Sequence, residues 1–235
     1  AYDPSTEALK IAERLGATGE KDSISAIKKA ETVIVCTKPE KVTTVLNELC
    51  GDLEEKLVIS VAAGMPTQKI LAALDKKIAL VRAMPNTPAA VMRGITVYVP
   101  NGNVPKQQAE VCGELLSSVG ESVLIDDEGL MDAVTAVSGS GPAYVFLVIE
   151  AMAKAGIMSG LPPDLAMRLA RATVSGSGEL ARLSEETADQ LRINVTSPGG
   201  TTAAALNVLM SDDGIQPIFD EAIKAAAKRS KELAG

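Results

Sequence analysis

The sequence predicts an α/β fold: a Rossmann-like, doubly wound, mainly parallel sheet followed by an all-helical domain. Three observations carry the prediction. Short apolar runs alternate with helix-length amphipathic segments up to about residue 126. Beyond that point the strand pattern stops and only helical periodicity remains. Apolar residues make up 46% of the chain, yet aromatics supply 2% and tryptophan none. Ala, Val, Leu and Ile must therefore fill the core, as suits close-packed helices and parallel strands. The domains are accordingly set at residues 1–126 and 127–235.

In chain order, Tyr2-Asp3-Pro4-Ser5 reads as the end of a strand entering a helix over residues 6–15, closed by Gly16. The run 31–37 is a buried strand ended by Lys38-Pro39, and 42–49 a helix. A second buried strand, 57–61, stops at Ala62-Ala63-Gly64; helix follows over 66–74 and strand over 78–82. Such alternation implies right-handed crossovers, and ligands of these sheets bind beyond the carboxyl ends of the strands. Those ends, Asp3-Pro4-Ser5, Thr37-Lys38-Pro39, Ala62-Ala63-Gly64 and 83–88, should line one crevice. Residues 94–100 alternate like a further strand, 105–119 form a helix, and 122–125 a last short strand.

This is the pattern of a dinucleotide-binding domain, but no Gly-x-Gly-x-x-Gly stands between a strand and a helix. The fingerprint puts an acidic residue at the end of the second strand, about 20 residues past the glycines. With Asp3 in that role, the first strand and glycine turn belong before Ala1, and the domain is expected to be incomplete at its N-terminus. The alternative is that Asp3 only initiates a turn with Pro4.

The second half reads as helices over 130–137, 143–158, 163–183, 185–191, 202–210 and 215–233. The 143–158 segment is apolar nearly all round, so it must be buried, either in a dimer interface or as the central helix of a monomeric bundle. Val137-Ser-Gly-Ser-Gly-Pro-Ala-Tyr144 lacks the Lys-Ser/Thr ending of a phosphate loop and reads as a helix–turn–helix junction. Thr135 and Ser138 lie beside it. The stretch from Arg192 to Leu206 is the most suggestive in the chain. Thr196 or Ser197 can cap a helix, Pro198 suits its first turn, and Gly199-Gly200 admit another molecule close to the backbone. Free N–H groups at a helix start readily hold a carboxylate or phosphate; an ordinary capped helix is the plainer reading.

Composition excludes several functions. Thirty acidic against 23 basic side chains give a formal charge of −7, which argues against nucleic acid or an anionic membrane as partner. No uninterrupted apolar run reaches the ~18 residues of a membrane span. Cys36, Cys50 and Cys112 are odd in number and far apart, so they read as reduced thiols of a cytosolic protein, with neither a disulfide framework nor a metal cluster. The chain has no histidine. Ser-His-Asp and Cys-His nucleophile systems and histidine acid–base catalysis are thereby excluded.

Five segments in order, Thr37-Lys38-Pro39, Val61-Ala-Ala-Gly64, Met84-Pro-Asn-Thr-Pro88, Ser138-Gly-Ser-Gly-Pro-Ala-Tyr144 and Asn194-Val-Thr-Ser-Pro-Gly-Gly-Thr-Thr202, resemble the pyrroline-5-carboxylate reductase family. The resemblance runs from the second strand to the C-terminus. It implies reduction of 1-pyrroline-5-carboxylate to L-proline with NADPH or NADH, a homodimer and in many members a decamer, and cytoplasmic residence. It places the cofactor on Asp3, Pro4 and Ser5, then Ser23, Cys36, Thr37, Lys38, Pro39, Val61, Ala62, Ala63 and Gly64, with Met84, Pro85 and Asn86 near the nicotinamide. The substrate carboxylate is implied at Asn194, Ser197, Gly199, Gly200, Thr201 and Thr202. Thr135 and the dimer partner's copy of Glu185 are implied beside the ring nitrogen. A protonated imine is already electrophilic, so hydride transfer needs no strong general acid, which suits a chain without histidine. The competing readings are a related dehydrogenase for another imine or a hydroxy acid, with Lys154 its local candidate, and a non-catalytic dimeric homologue.

Overall fold

A computed structural model describes residues 1–74 and 77–234. Two compact units emerge: residues 1–139 together with the chain from Ala227 on, and Ser140–Ala226. Residue 126 marks the change from strands to helices, whereas compactness divides the chain after Gly139. The first helical turns beyond 126 belong with the sheet because Met131 is buried among Val97 and Val99.

The sheet of the first unit has five strands in sequence order: β1 (Thr32–Val35), β2 (Leu57–Ser60), β3 (Ala79–Met84), β4 (Gly94–Pro100) and β5 (Gly120–Leu124). β1, β2 and β3 are parallel, as are β4 and β5, while β3 and β4 run antiparallel. The connection explains the exception. Residues 85–93 hold a short 3-10 turn, Thr87–Val91, too little chain for the crossover a parallel pair requires.

Five helices flank the sheet: α1 (Thr6–Arg14), α2 (Ser23–Lys28), α3 (Pro39–Glu48), α4 (Thr67–Leu74) and α5 (Lys106–Ser117). Strands buried on both faces alternate their allegiance. Val58 and Leu80 pack with Val42, Leu46 and Ile70 of α3 and α4. Leu57, Ile59 and Val81 pack with Cys112 and Leu116 of α5 on the other face. Burial pushes the Cys112 thiol up to about 11. Two expectations change here. Residues 2–5 carry no strand; the chain entry is held where Ala1 N donates to Thr18 O and Ala1 O accepts from Glu20 N. Helix α2 was not anticipated; Asp22 caps it by accepting from Ser25 N at 2.6 Å, and Ile27 anchors it.

The remaining helices are α6 (Met131–Val134), α7 (Gly141–Met158), α8 (Pro163–Leu183), α9 (Ala188–Asn194), α10 (Thr201–Leu209) and α11 (Ile215–Ala234). Between α6 and α7 lies a π-helical segment, Thr135–Gly139. The expected helix–turn–helix junction is therefore a continuing helix with a widened turn. Helical residues run from Glu128 to Met158, long and apolar enough by length and composition alone to cross a membrane, yet only 11% of that window is buried. The sequence criterion of an unbroken apolar run is stricter, because Glu150 and Lys154 interrupt it and pair at 3.7 Å.

Within the second unit α7 packs on α8 through small side chains. A Cβ on Gly156 would lie 3.2 Å from Leu161 and 3.4 Å from Ala166. Among the described residues of this unit, the buried apolar side chains are Ala153, Ala166 and Ala170. Phe146 and Leu147 stay 59% and 61% exposed.

Candidate active site

The carboxyl ends of β1 and β2 form the first part of the site. Thr37 follows β1, and its Oγ1 is buried with no hydrogen-bond partner among the described residues; Ser60 Oγ, at the end of β2, is in the same condition. Because Val35 lies opposite Ser60 in the parallel register, these orphaned hydroxyls belong to neighbouring strand ends. A buried polar group without a partner costs free energy, so a ligand or water that answers it is favoured. Cys36 is exposed, Lys38 is the N-cap of α3 and Pro39 its first residue. Val61-Ala-Ala-Gly64 leaves β2 in a turn where Gly64 has φ +67°, and the space that a Cβ would take meets Leu233 at 3.3 Å. Only glycine fits there without strain.

Asp3 and Ser5 sit on the entry to α1. Asp3 Oδ1 accepts from Ser5 N at 2.7 Å, and Ser5 Oγ accepts from Ala8 N at 3.3 Å. The sequence alternative, Asp3 as turn initiator with Pro4, thus describes one of its oxygens. Ser23 opens α2.

The second part is the loop after β3 held against the π-helical segment. Asn86 Nδ2 donates to Ser138 O at 3.3 Å, and Asn86 Oδ1 accepts from Ile95 N at 3.0 Å. A Cβ on Gly139 would run into Met84 Cε. Met84, Asn86 and Thr135 are thereby brought together, and Asn86 acts as a brace. Thr135 Oγ1 donates to Met131 O at 2.7 Å, so its oxygen retains acceptor capacity. π-Helical turns recur at functional sites because they re-aim side chains.

Within the second unit, the segment singled out in the sequence lies at the start of α10. The turn before α10 is closed by Gly200 N donating to Ser197 O at 3.0 Å. Gly199 stands at φ +71°, a left-handed conformation that other residues adopt at a cost. Helix α10 begins at Thr201 with Gly200 as N-cap, and no side chain caps it. The expectation that Thr196 or Ser197 caps this helix, with Pro198 in its first turn, is corrected: the glycine pair moves those residues upstream of the helix. Thr196 Oγ1 instead donates to Arg192 O at 2.6 Å. The N–H groups of the first turn of α10 have no side-chain cap, and helix starts of this kind suit anions in general. Asn194 is committed internally, accepting from Gln190 at 2.8 Å and donating to Glu186 at 2.9 Å. Glu185 is exposed in the link between α8 and α9.

One cluster escaped the sequence. Glu128 Oε1 accepts from Thr67 N and from Arg82 Nη1, each at 2.9 Å, and Thr67 Oγ1 donates to Glu128 Oε2. Burial raises the Glu128 carboxyl, but the hydrogen bonds from Thr67 and the Arg82 guanidinium outweigh it and hold it below its ordinary value. Among the described residues no cluster of three or more His, Cys, Asp or Glu could hold a metal.

A mainly parallel sheet with orphaned hydroxyls at its strand ends, followed by a helical unit, is an arrangement that dinucleotide-dependent oxidoreductases share. Residues 1–64 match the family model described as NADP oxidoreductase coenzyme F420-dependent, and residues 128–233 the one described as pyrroline-5-carboxylate reductase dimerisation. The pyrroline-5-carboxylate reductase of Pseudomonas aeruginosa is 40% identical, covering all of this chain and 86% of the relative; that of Synechocystis is 43% identical over 90% of this chain and 78% of the relative. Among solved structures, a pyrroline-5-carboxylate reductase from Coxiella burnetii superposes with TM-score 0.94 at 37% identity, over all of this chain and 87% of that one. The Plasmodium falciparum pyrroline carboxylate reductase with NADP bound superposes with TM-score 0.85 at 31% identity, over all of this chain and 86% of that one. The chain belongs to the pyrroline-5-carboxylate reductase family.

Proposed function

We propose that this chain reduces 1-pyrroline-5-carboxylate to L-proline with NAD(P)H, the last step of proline biosynthesis, in the cytoplasm. The observation that carries the reading is the uncapped start of α10, which offers backbone donors and two hydroxyls to a carboxylate. The orphaned Thr37 hydroxyl and the tight Gly64 turn fit a dinucleotide crossing the ends of β1 and β2. The bound cofactor supplies the hydride.

Residues of the chain do the rest. Asp3, Pro4, Ser5 and Ser23 serve the adenosine half, and Cys36 to Pro39 with Val61 to Gly64 the path toward the nicotinamide. Met84, Pro85 and Asn86 form the wall behind the ring. Ser197, Gly199, Gly200, Thr201 and Thr202 hold the substrate carboxylate, with Asn194 bracing α9. Thr135 already donates to Met131 O, so it accepts from the iminium N–H and orients the ring. Glu185, supplied by a second protomer, favours the protonated imine electrostatically. Residues 127–235 then form the substrate-binding and dimerisation domain, and dimers assemble into decamers.

The test follows NAD(P)H absorbance in the presence of pyrroline-5-carboxylate. Imine-dependent consumption is expected; its absence overturns the reading. Thr202→Ala removes one hydroxyl from the carboxylate site, a loss of about 1 kcal/mol. It should raise KM for the imine roughly fivefold with the cofactor Kd unchanged; an unchanged KM removes the carboxylate from α10.

A further inference from the structure

We infer that Glu128 is a positioning residue of the reductase site, a single carboxylate that locks the cofactor turn, the nicotinamide wall and the helix of Thr135 into one frame. The inference deepens the proposed function and rests on it for its catalytic consequence. Its basis is geometric. Glu128 stands seven residues before Thr135 on one continuous helical run, which opens as a 3-10 turn, continues as α6 and widens at Thr135. Its Oε1 accepts from the backbone N–H of Thr67, the first residue of α4, three residues after Gly64. The same oxygen accepts from Arg82, two residues before Met84. Its Oε2 takes the Thr67 hydroxyl.

Each arm of the cluster thus ends within three residues of a segment assigned to the cofactor. Arg82 is buried in the middle of the sheet, with Ser60 and Val99 beside it in register. A buried guanidinium tolerates little displacement of its carboxylate partner. Thr67 is also buried, so its hydroxyl has no solvent alternative. A shift of the helical run would have to break all three bonds together. Hydride transfer is sensitive to misplacement on this scale, since about 1 Å of error can cost on the order of a hundredfold in rate.

Thr67→Val is the informative variant because it keeps shape and burial and removes one donor. For that variant kcat should fall roughly tenfold, and the deuterium isotope effect with nicotinamide-deuterated cofactor should rise as the hydride step becomes slower. KM for the imine should move less than about twofold, because α10 is untouched. Thr67→Ser should restore wild-type values, and Glu128→Gln should behave like Thr67→Val. Hydrogen exchange on the full chain supplies a readout that needs no turnover: Thr67→Val should speed exchange in residues 62–66 and in 131–139 together. Faster exchange confined to 67–70, or an unchanged kcat and isotope effect in both variants, overturns the inference. A wild-type chain that consumes no cofactor with the imine would instead overturn the proposed function, while the exchange result would still judge the clamp.

Discussion

At Glu128 two influences oppose each other: burial disfavours the charge, and three hydrogen bonds favour it more strongly. Because the folded state holds this carboxyl below its ordinary value of 4.5, the charged cluster adds stability that is fully present above the unfolded value. That stability is lost as pH falls through the lower folded value. Acid titration followed by thermal melting should show this contribution in the wild type, and Glu128→Gln should flatten that part of the curve. An identical acid profile for both proteins would show that the ion pair does not couple to folding. The sequence could not reveal the cluster, because Arg82 and Thr67 lie 46 and 61 residues from Glu128. Gly199 and Gly64 were legible only as glycines, one admitting a close neighbour and one ending a strand; their left-handed backbone is a finding of the structure.

At the scale of elements, the widened helical turn at Thr135 is the feature with most consequence. A regular α-helix there would rotate Thr135 and Ser138 relative to Met84 and Asn86. Thr135→Val keeps the packing and removes the oxygen, so kcat should drop by roughly tenfold or more while cofactor affinity measured by titration holds. A lowered affinity would place Thr135 against the cofactor instead. Most strands and helices could be read from apolar runs and from glycine and proline stops, and their ends differ from expectation by a few residues. Three features resisted for physical reasons. Helix α2 hid because a six-residue helix shows less than two turns of periodicity. The start of α10 was misplaced because its turn is closed by backbone instead of a capping side chain. The π-helical turn was read as a helix end running into a helix–turn–helix junction because Ser138 and Gly139 carry turn preference, and neighbouring packing overrode it.

For the whole molecule the decisive fact is how little of the second unit is sealed. Phe146 and Leu147 on α7 remain mostly exposed, a surface that a stable chain covers with protein. The dimerisation family match over residues 128–233 includes α7, and the chain is accordingly a homo-oligomer. Phe146→Asp should convert the assembly to monomers in sedimentation at micromolar concentration, with imine reduction lost in parallel. A variant that stays assembled would move the interface off this face of α7.

A joint between like subunits around a two-fold axis has an arithmetic of its own. Every residue in it is inherited in pairs, so one altered codon edits the contact in two places at once. A change that weakens each half by about 1.4 kcal/mol therefore loosens the union roughly a hundredfold. Variation at any position within such a joint is consequently penalised twice for each genetic event, and a compensating change is rewarded twice.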